Sequence, residues 1–236
     1  DSAITHFNGT AWKYFAATES PIYPTSLKMF LDAGDAASYP GTGTTWFDLT
    51  TNQNNGTISG ATWNNSGYFD FNGSNNKVTI PSTATTPIDF TQKNYSITAW
   101  INPDTSGVNQ IITKYGPNDS LRSTSVLINT DNTLRLIQRA TGASNNSYSV
   151  STVPQNTWTH IVITRSSSQV KFYLNGTLNS TVGNTFTPNS GGNQPILIGS
   201  NGTTTPTYFN GQISKVRIYD TVLTQTEITA LFTEGR

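Results

Sequence analysis

The chain has no cysteine, one methionine, two histidines and three glutamates among its 236 residues. Without cysteine there is no disulfide staple, no thiol catalysis or redox exchange, and no Cys-ligated zinc. Charge is scarce as well. Lys plus Arg number 13 and Asp plus Glu number 13, so the net charge is zero and charged residues make up 11% of the chain. An ordinary globular protein carries about 25%. So few cations argue against electrostatic binding to nucleic acid or to a membrane surface. No apolar run approaches the roughly 18 residues of a membrane span, so no membrane insertion is expected, and no signal peptide is visible. Helix bundles draw on Ala, Leu, Glu and Lys, and three Glu do not supply one.

Short polar residues take the place of charge. There are 40 Thr, 25 Asn and 24 Ser, together 89 residues, and aromatics add 11%. Thr and aromatic side chains favour strands. Phe, Trp, Tyr, Val, Ile and Leu recur throughout, which excludes a disordered chain. An all-β domain is left. One sandwich with some decoration fits 236 residues, and folding at that length buries roughly 70% of the unfolded surface. Such a core needs no covalent staple. The chain begins at Asp1 and its only methionine is Met29, so it reads as a processed or excised piece.

Residues 1–26 differ from the rest. Phe7, Trp12, Tyr14 and Phe15 are aromatic-rich and strand-like around an Asn8-Gly9 turn, and Glu19-Ser20-Pro21 and Tyr23-Pro24 make an extended connector. This segment is expected to be the end of a preceding module or a shaft junction; the alternative is an edge hairpin packed on the sandwich. Residues 27–236 are expected to form the sandwich itself. Strands are predicted at 27–32, 46–48, 61–63, 68–72, 77–80, 96–102, 110–114, 125–129, 134–139, 148–153, 158–165, 169–174, 177–182, 196–199 and 208–219. Asn175-Gly176 and Asp131-Asn132 mark hairpin turns. In Ser96-Ile97-Thr98-Ala99-Trp100-Ile101 the period of two sends Ile97, Ala99 and Ile101 one way and Trp100 the other. Thr224-Gln225-Thr226-Glu227 is a capping box that opens one C-terminal helix, with an apolar stripe of Ile228, Leu231 and Phe232.

Five segments in order resemble the laminin G-like jelly rolls of the concanavalin A-like lectin/glucanase superfamily. The first runs from Leu31-Asp32-Ala33-Gly34-Asp35 to Trp46-Phe47-Asp48-Leu49-Thr50 and the Asn52–Thr57 loop. The next are Phe69-Asp70-Phe71-Asn72-Gly73 with Val78-Thr79-Ile80-Pro81, and Ser96 to Pro103 around Trp100. Trp158-Thr159-His160 with Tyr173-Leu174-Asn175-Gly176, and the closing Phe209-Asn210-Gly211 to Tyr219, complete the set. The resemblance implies an all-β, two-sheet antiparallel jelly-roll sandwich with one short C-terminal helix. It implies recognition of glycans, proteins or lipids, and in many members a structural Ca²⁺ near a sheet edge; no cofactor is required.

The residues constrain the chemistry further. Retaining glycoside hydrolysis needs two carboxylates about 5–5.5 Å apart, and related glucanases carry them as Glu-x-Asp-x-Glu on a strand. Here Glu19 is in the connector, Glu227 in the capping box and Glu234 at the chain end. No catalytic residue is expected. His160 reads as a packed strand residue. Candidate calcium donors are Asp48, Asn52 and Asn55, with Asp32 and Asp35 beside them; the simpler reading is that Asp48 and Asn52 cap their own loop. The resemblance places Asn72, Asn75, Asn76 and Ser214 where relatives often carry acids. If each strand reverses direction, loops 115–123, 142–147 and 183–194 meet at one end, and a rim of Tyr115, Asn118, Asp119, Arg122, Asn145, Asn146, Asn189 and Asn193, with Arg139 and Tyr148, could hold a sugar. Ten Asn-x-Ser/Thr triplets occur, a number that this composition makes unremarkable.

The leading expectation is a non-catalytic extracellular adhesion domain, the glycan-binding head of a cell-surface or virion fibre protein, with homotrimerisation through the N-terminal segment. A structural or protein-binding spacer and a polysaccharide-degrading enzyme or its accessory domain are the alternatives.

Overall fold

Runs rich in Thr, Val, Ile, Phe and Tyr, broken by Asn, Gly and Pro, form strands wherever one face can be buried. The computed structural model describes residues 5–7, 12–14, 24–82 and 88–236, and only the backbone of the first two stretches. In chain order the strands are β1 (Thr5–Phe7), β2 (Trp12–Tyr14), β3 (Leu27–Asp32), β4 (Thr45–Trp46), β5 (Gly56–Ser59) and β6 (Thr62–Asn64). Then come β7 (Tyr68–Asn72), β8 (Lys77–Ile80), β9 (Tyr95–Pro103), β10 (Asn109–Tyr115), β11 (Arg122–Ile128) and β12 (Thr133–Ala140). The last are β13 (Ala143–Thr152), β14 (Thr159–Arg165), β15 (Gln169–Leu174), β16 (Thr177–Gly183), β17 (Ile196–Ile198) and β18 (Asn210–Tyr219), followed by helix α1 (Gln225–Glu234).

Two antiparallel sheets make the sandwich. One has the order β13-β12-β11-β10-β17-β8-β5-β4; the other has β16-β15-β14-β9-β18-β7-β6, with β3 also paired to β18. The inward faces fill one continuous core around Met29, Leu31, Trp46, Phe69, Phe71, Ile97, Ile101, Val126, Leu136, Ile163, Phe172 and Phe209. Ile97 and Ala99 join that core, while Trp100 turns to the opposite face and stacks on Phe232 of α1 at 5.7 Å between centroids. The two-sided strand read from the sequence is therefore real. Along one side the sheets are tied edge to edge, where Val150 N–H of β13 donates to Asn179 Oδ1 and Ser180 Oγ of β16 donates to Tyr148 O.

Strands β3, β7, β8 and β15 fall on the residues that the sequence predicts. Two differences matter. Strand β5 lies in what reads as an Asn/Gly loop, yet a Cβ on Gly56 would sit 2.4 Å from Val78 Cγ1. Glycine is there because neighbouring chains pack closely, not because the chain turns. Residues 142–147 are predicted as a loop, but 143–147 form the start of β13, joined to β12 by Thr141-Gly142. Edge strands tolerate polar residues on either face, so Ser144-Asn145-Asn146-Ser147 hides a strand behind loop composition.

At the N terminus, β1 and β2 pair with each other, Phe7 opposite Trp12. The connector at Glu19, Ser20, Pro21 and Tyr23, and the turn at Asn8-Gly9, lie outside the described residues. At the C terminus the capping box forms: Thr224 Oγ1 accepts from Glu227 N–H, and Glu227 Oε2 accepts from Thr224 N–H at 2.7 Å. The Asn175-Gly176 turn has φ of 50° and 75°, the left-handed pair of a tight hairpin.

Candidate functional site

The three loops predicted to share one end of the sandwich do meet. Asp119 Oδ2 accepts from Gly142 N–H at 2.9 Å, Asp119 O accepts from Asn189 Nδ2, and Asn189 N–H donates to Arg139 O at 2.7 Å. Asp119 thus ties the β10–β11 connection to the β12–β13 turn and to the 184–195 segment. Asn118 precedes the short 3₁₀ turn Asp119–Leu121 and is exposed.

Next to this junction, β10 to β13 present a face turned away from the core. In β12, Leu134 and Leu136 point inward, so Arg135, Ile137 and Arg139 share the outer face at intervals of about 6.8 Å. Arg135 lies opposite Leu127 on one side and Tyr148 on the other. Tyr115, Leu127 and Ile137 pack into a small apolar cluster separate from the core. Around this floor stand Arg122, opposite Tyr115 in register, with Arg135 and Arg139. The Arg135 guanidinium lies 5.3 Å from the Tyr148 ring centroid and donates to Asn146 Oδ1 at 3.0 Å and Asn129 Oδ1 at 3.3 Å. Tyr148 is 39% exposed, which leaves ring surface for a ligand.

The electrostatics of this face are one-sided. None of the three arginines is ion-paired to a carboxylate among the described residues. Their Nε–H groups are buried and without acceptors, as is the Tyr115 hydroxyl. Burial pushes that hydroxyl up from its usual value, and Arg139, Arg122 and Arg135 pull the other way. All three cations therefore sit close to the Tyr115 oxygen.

The residues predicted for this rim divide in two. Tyr115, Arg122, Arg139 and Tyr148 gather on the outer face, with Asn118 and Asp119 at its end. Asn145 does not join them. It lies on the opposite side of β13, where its Oδ1 and Gln138 Oε1 both accept from Asn184 Nδ2 in a buried network. The reason is the strand itself: residues 145 and 148 are three apart and face opposite ways. Arg135 was missed, although the alternation Leu134-Arg135-Leu136-Ile137-Gln138-Arg139 holds the signal that would have found it.

The calcium candidates are otherwise employed. Asp48 Oδ1 accepts from Phe30 N–H and Thr50 N–H, and Oδ2 accepts from Thr50 Oγ1 and Asn54 N–H, all at 2.8–3.0 Å. Asn55 Oδ1 accepts from Asp48 N–H, and Asn52 Nδ2 donates to Leu27 O and Lys28 O. Asp32 accepts from Gly34 N–H and faces Lys215 Nζ at 3.4 Å, while Asp35 accepts from Ala37 N–H. Oxygens already met by N–H and O–H donors suit loop capping better than cation coordination. Among the described residues no three His, Asp or Glu side chains converge on one point. These five residues do not fit a calcium cage.

Carboxylates elsewhere are also engaged. Glu227 is in the capping box, and Glu234 pairs with Lys215 and Arg217 beneath α1. His160 is buried in a stack with Trp100 and Phe232, its ring nitrogens without hydrogen-bond partners.

A family model described as the Concanavalin A-like lectin/glucanases superfamily, of laminin G type, matches residues 72–229, more than half of the chain. The chain belongs to this superfamily. No curated protein matches it. Among solved structures it is similar to Trypanosoma rangeli sialidase in complex with sialic acid, with 20% identity, a TM-score of 0.66, and coverage of 89% of this chain and 33% of that one. It is also similar to the receptor binding domain of the botulinum neurotoxin C/D mosaic serotype, at 15% identity and TM-score 0.65, covering 89% and 51%. The botulinum neurotoxin serotype G binding domain matches at 18% identity and TM-score 0.66, covering 88% and 51%. At such identities the likeness is one of fold. The chain spans about a third of the sialidase and half of the toxin chains. As a superfamily member it has the two-sheet jelly roll that its residues predict, and no helix among its described residues is long and apolar enough to cross a membrane.

Proposed function

We propose that this domain is a non-catalytic recognition module that binds a glycan on the outer face of β10–β13. In this reading it acts outside the cell as the head of a surface or virion fibre protein. The observation that carries the reading is the junction described above: an exposed Tyr148 ring, an apolar floor and unspent hydrogen-bond donors, all beside three converging loops. An aromatic ring suits the apolar face of a pyranose, and fixed donors suit its oxygens. The structural neighbours support it at the level of fold, since one is a sialidase solved with sialic acid and two are toxin binding domains. Glu227 is engaged in the capping box and Glu234 lies in α1 against Lys215 and Arg217, which supports a role without hydrolysis. Homotrimerisation through residues 1–26 belongs to the same proposal and is tested by light scattering on the full chain.

A glycan array probed with the folded chain, with and without chelator, tests the function. We expect a defined set of saccharide hits that persists in chelator. An array without hits contradicts the reading, and loss of the hits on chelation overturns the assignment of Asp48 and its neighbours to loop capping.

A further inference from the structure

The cations of the outer face carry more information than the aromatic ring. This chain has six arginines and no net charge, yet half of those arginines stand on one sheet face, and no carboxylate pairs with any of them among the described residues. Elsewhere Arg165 and Arg236 donate only to carbonyl oxygens, while three cations are matched. Lys28 meets Asp220, Lys215 meets Asp32 and Glu234, and Arg217 meets Glu234. The two acids at the ends of the face are already engaged, Asp119 on Gly142 N–H of the β12–β13 turn and Asp131 on Thr133 in its own turn.

Donor capacity is also left over. Arg139 Nε–H has no acceptor although the Tyr115 hydroxyl lies at its side, and Arg122 reaches only Pro117 O, at 3.5 Å. Arg135 is held in place by two asparagine oxygens, so it is positioned rather than free. A guanidinium offers a planar fork of donors that matches a carboxylate or sulfate two oxygens at a time. Neutral donors suffice for the hydroxyl groups of a neutral sugar, whereas three like charges on one face suit an anionic ligand.

We infer that the outer face of β10–β13 selects anionic saccharides, with Arg122, Arg135 and Arg139 receiving the ligand's carboxylate or sulfate groups while Tyr148 takes a sugar ring. This deepens the glycan-binding reading and rests on it. Carboxylate and sulfate present the same chemistry to a guanidinium, so the ligand series must separate them.

The test is a titration of the full chain with one oligosaccharide backbone in three forms: neutral, uronate-bearing and O-sulfated. Each is measured at low and at elevated salt, for the wild type and for Arg135→Gln, Arg139→Gln, Arg139→Lys and the remote control Lys171→Gln. We expect the anionic forms to bind at least about tenfold more tightly than the neutral one, with the advantage shrinking as salt screens the charges. Either glutamine variant removes that advantage, Arg139→Lys keeps part of it, and Lys171→Gln leaves it unchanged. Melting curves on every variant separate lost binding from lost folding, and Arg139→Lys preserves the test if a glutamine variant unfolds. Equal affinity for neutral and anionic forms overturns the charge preference and leaves the glycan reading standing. No binding to any form, or binding only to an acidic peptide or to DNA run as competitors, overturns both.

Discussion

Trp100, His160 and Phe232 form one column between the outer face of β9–β14 and the terminal helix, and the imidazole in it cannot easily take a proton. Burial holds His160 down to about 4, helped by Arg217 and Lys215 and opposed by Glu234. Between the ordinary histidine value near 6.5 and about 4, the unfolded chain binds a proton that the folded chain refuses. The folded state is therefore at full advantage above pH 6.5 and loses stability as pH falls through that window. Up to about 3 kcal/mol rides on this one side chain, at about 1.4 kcal/mol per pH unit. Denaturant unfolding of the wild type and of His160→Phe, at pH 7.5 and at pH 4.5, measures it. We expect the wild type to lose more stability than the variant on acidification, and equal losses would refute the account. At the same scale Asn175 was legible as a turn residue, but not its second task of accepting the backbone N–H of His160 on Oδ1 at 2.9 Å. That bond depends on two strands meeting, which no local pattern encodes.

Helix α1 is the element most fully written in the sequence and the one whose task is clearest. Its stripe closes the second apolar cluster, where Ile228 packs with Leu27, Phe30, Tyr173, Tyr219 and Leu223. Gln225 Nε2 donates to Gly176 O at the hairpin tip, and a Cβ on Gly176 would meet Phe232 at 3.1 Å. Removing the cap with Thr224→Ala should cost about 1 kcal/mol, read as a lower denaturant midpoint with an unchanged slope. An unchanged midpoint would mean that the helix is held by its packed face alone. Strands were legible where apolar residues alternate or run together, as in β3, β7, β8 and β15. They were hidden where Asn, Ser and Gly sit at an edge or under a close neighbour, as in β5 and the first half of β13.

For the whole molecule, the jelly roll was legible because turn residues recur at regular spacing and five motif segments keep their order. The meeting of three distant loops was legible too, from the assumption that antiparallel strands reverse direction. The sharing of faces within the site was not. Treating residues 142–147 as a loop put Asn145 beside Tyr148 and left Arg135 out, and a period-two count through β12 and β13 corrects both. The low charge of the chain also takes on meaning at this scale. With six arginines in all, placing three without counterions on one face concentrates the cationic surface where the loops converge.

The proposed glycan site is this face and not another surface. Backbone amide NMR shifts recorded while a saccharide hit is titrated into the full chain test it most directly. Saturable shifts are expected to cluster on β10–β13 and on the turn at Thr141-Gly142, around Arg135, Arg139 and Tyr148. Saturable shifts confined to the opposite sheet, or to the Asp48–Asn55 loop, would contradict it.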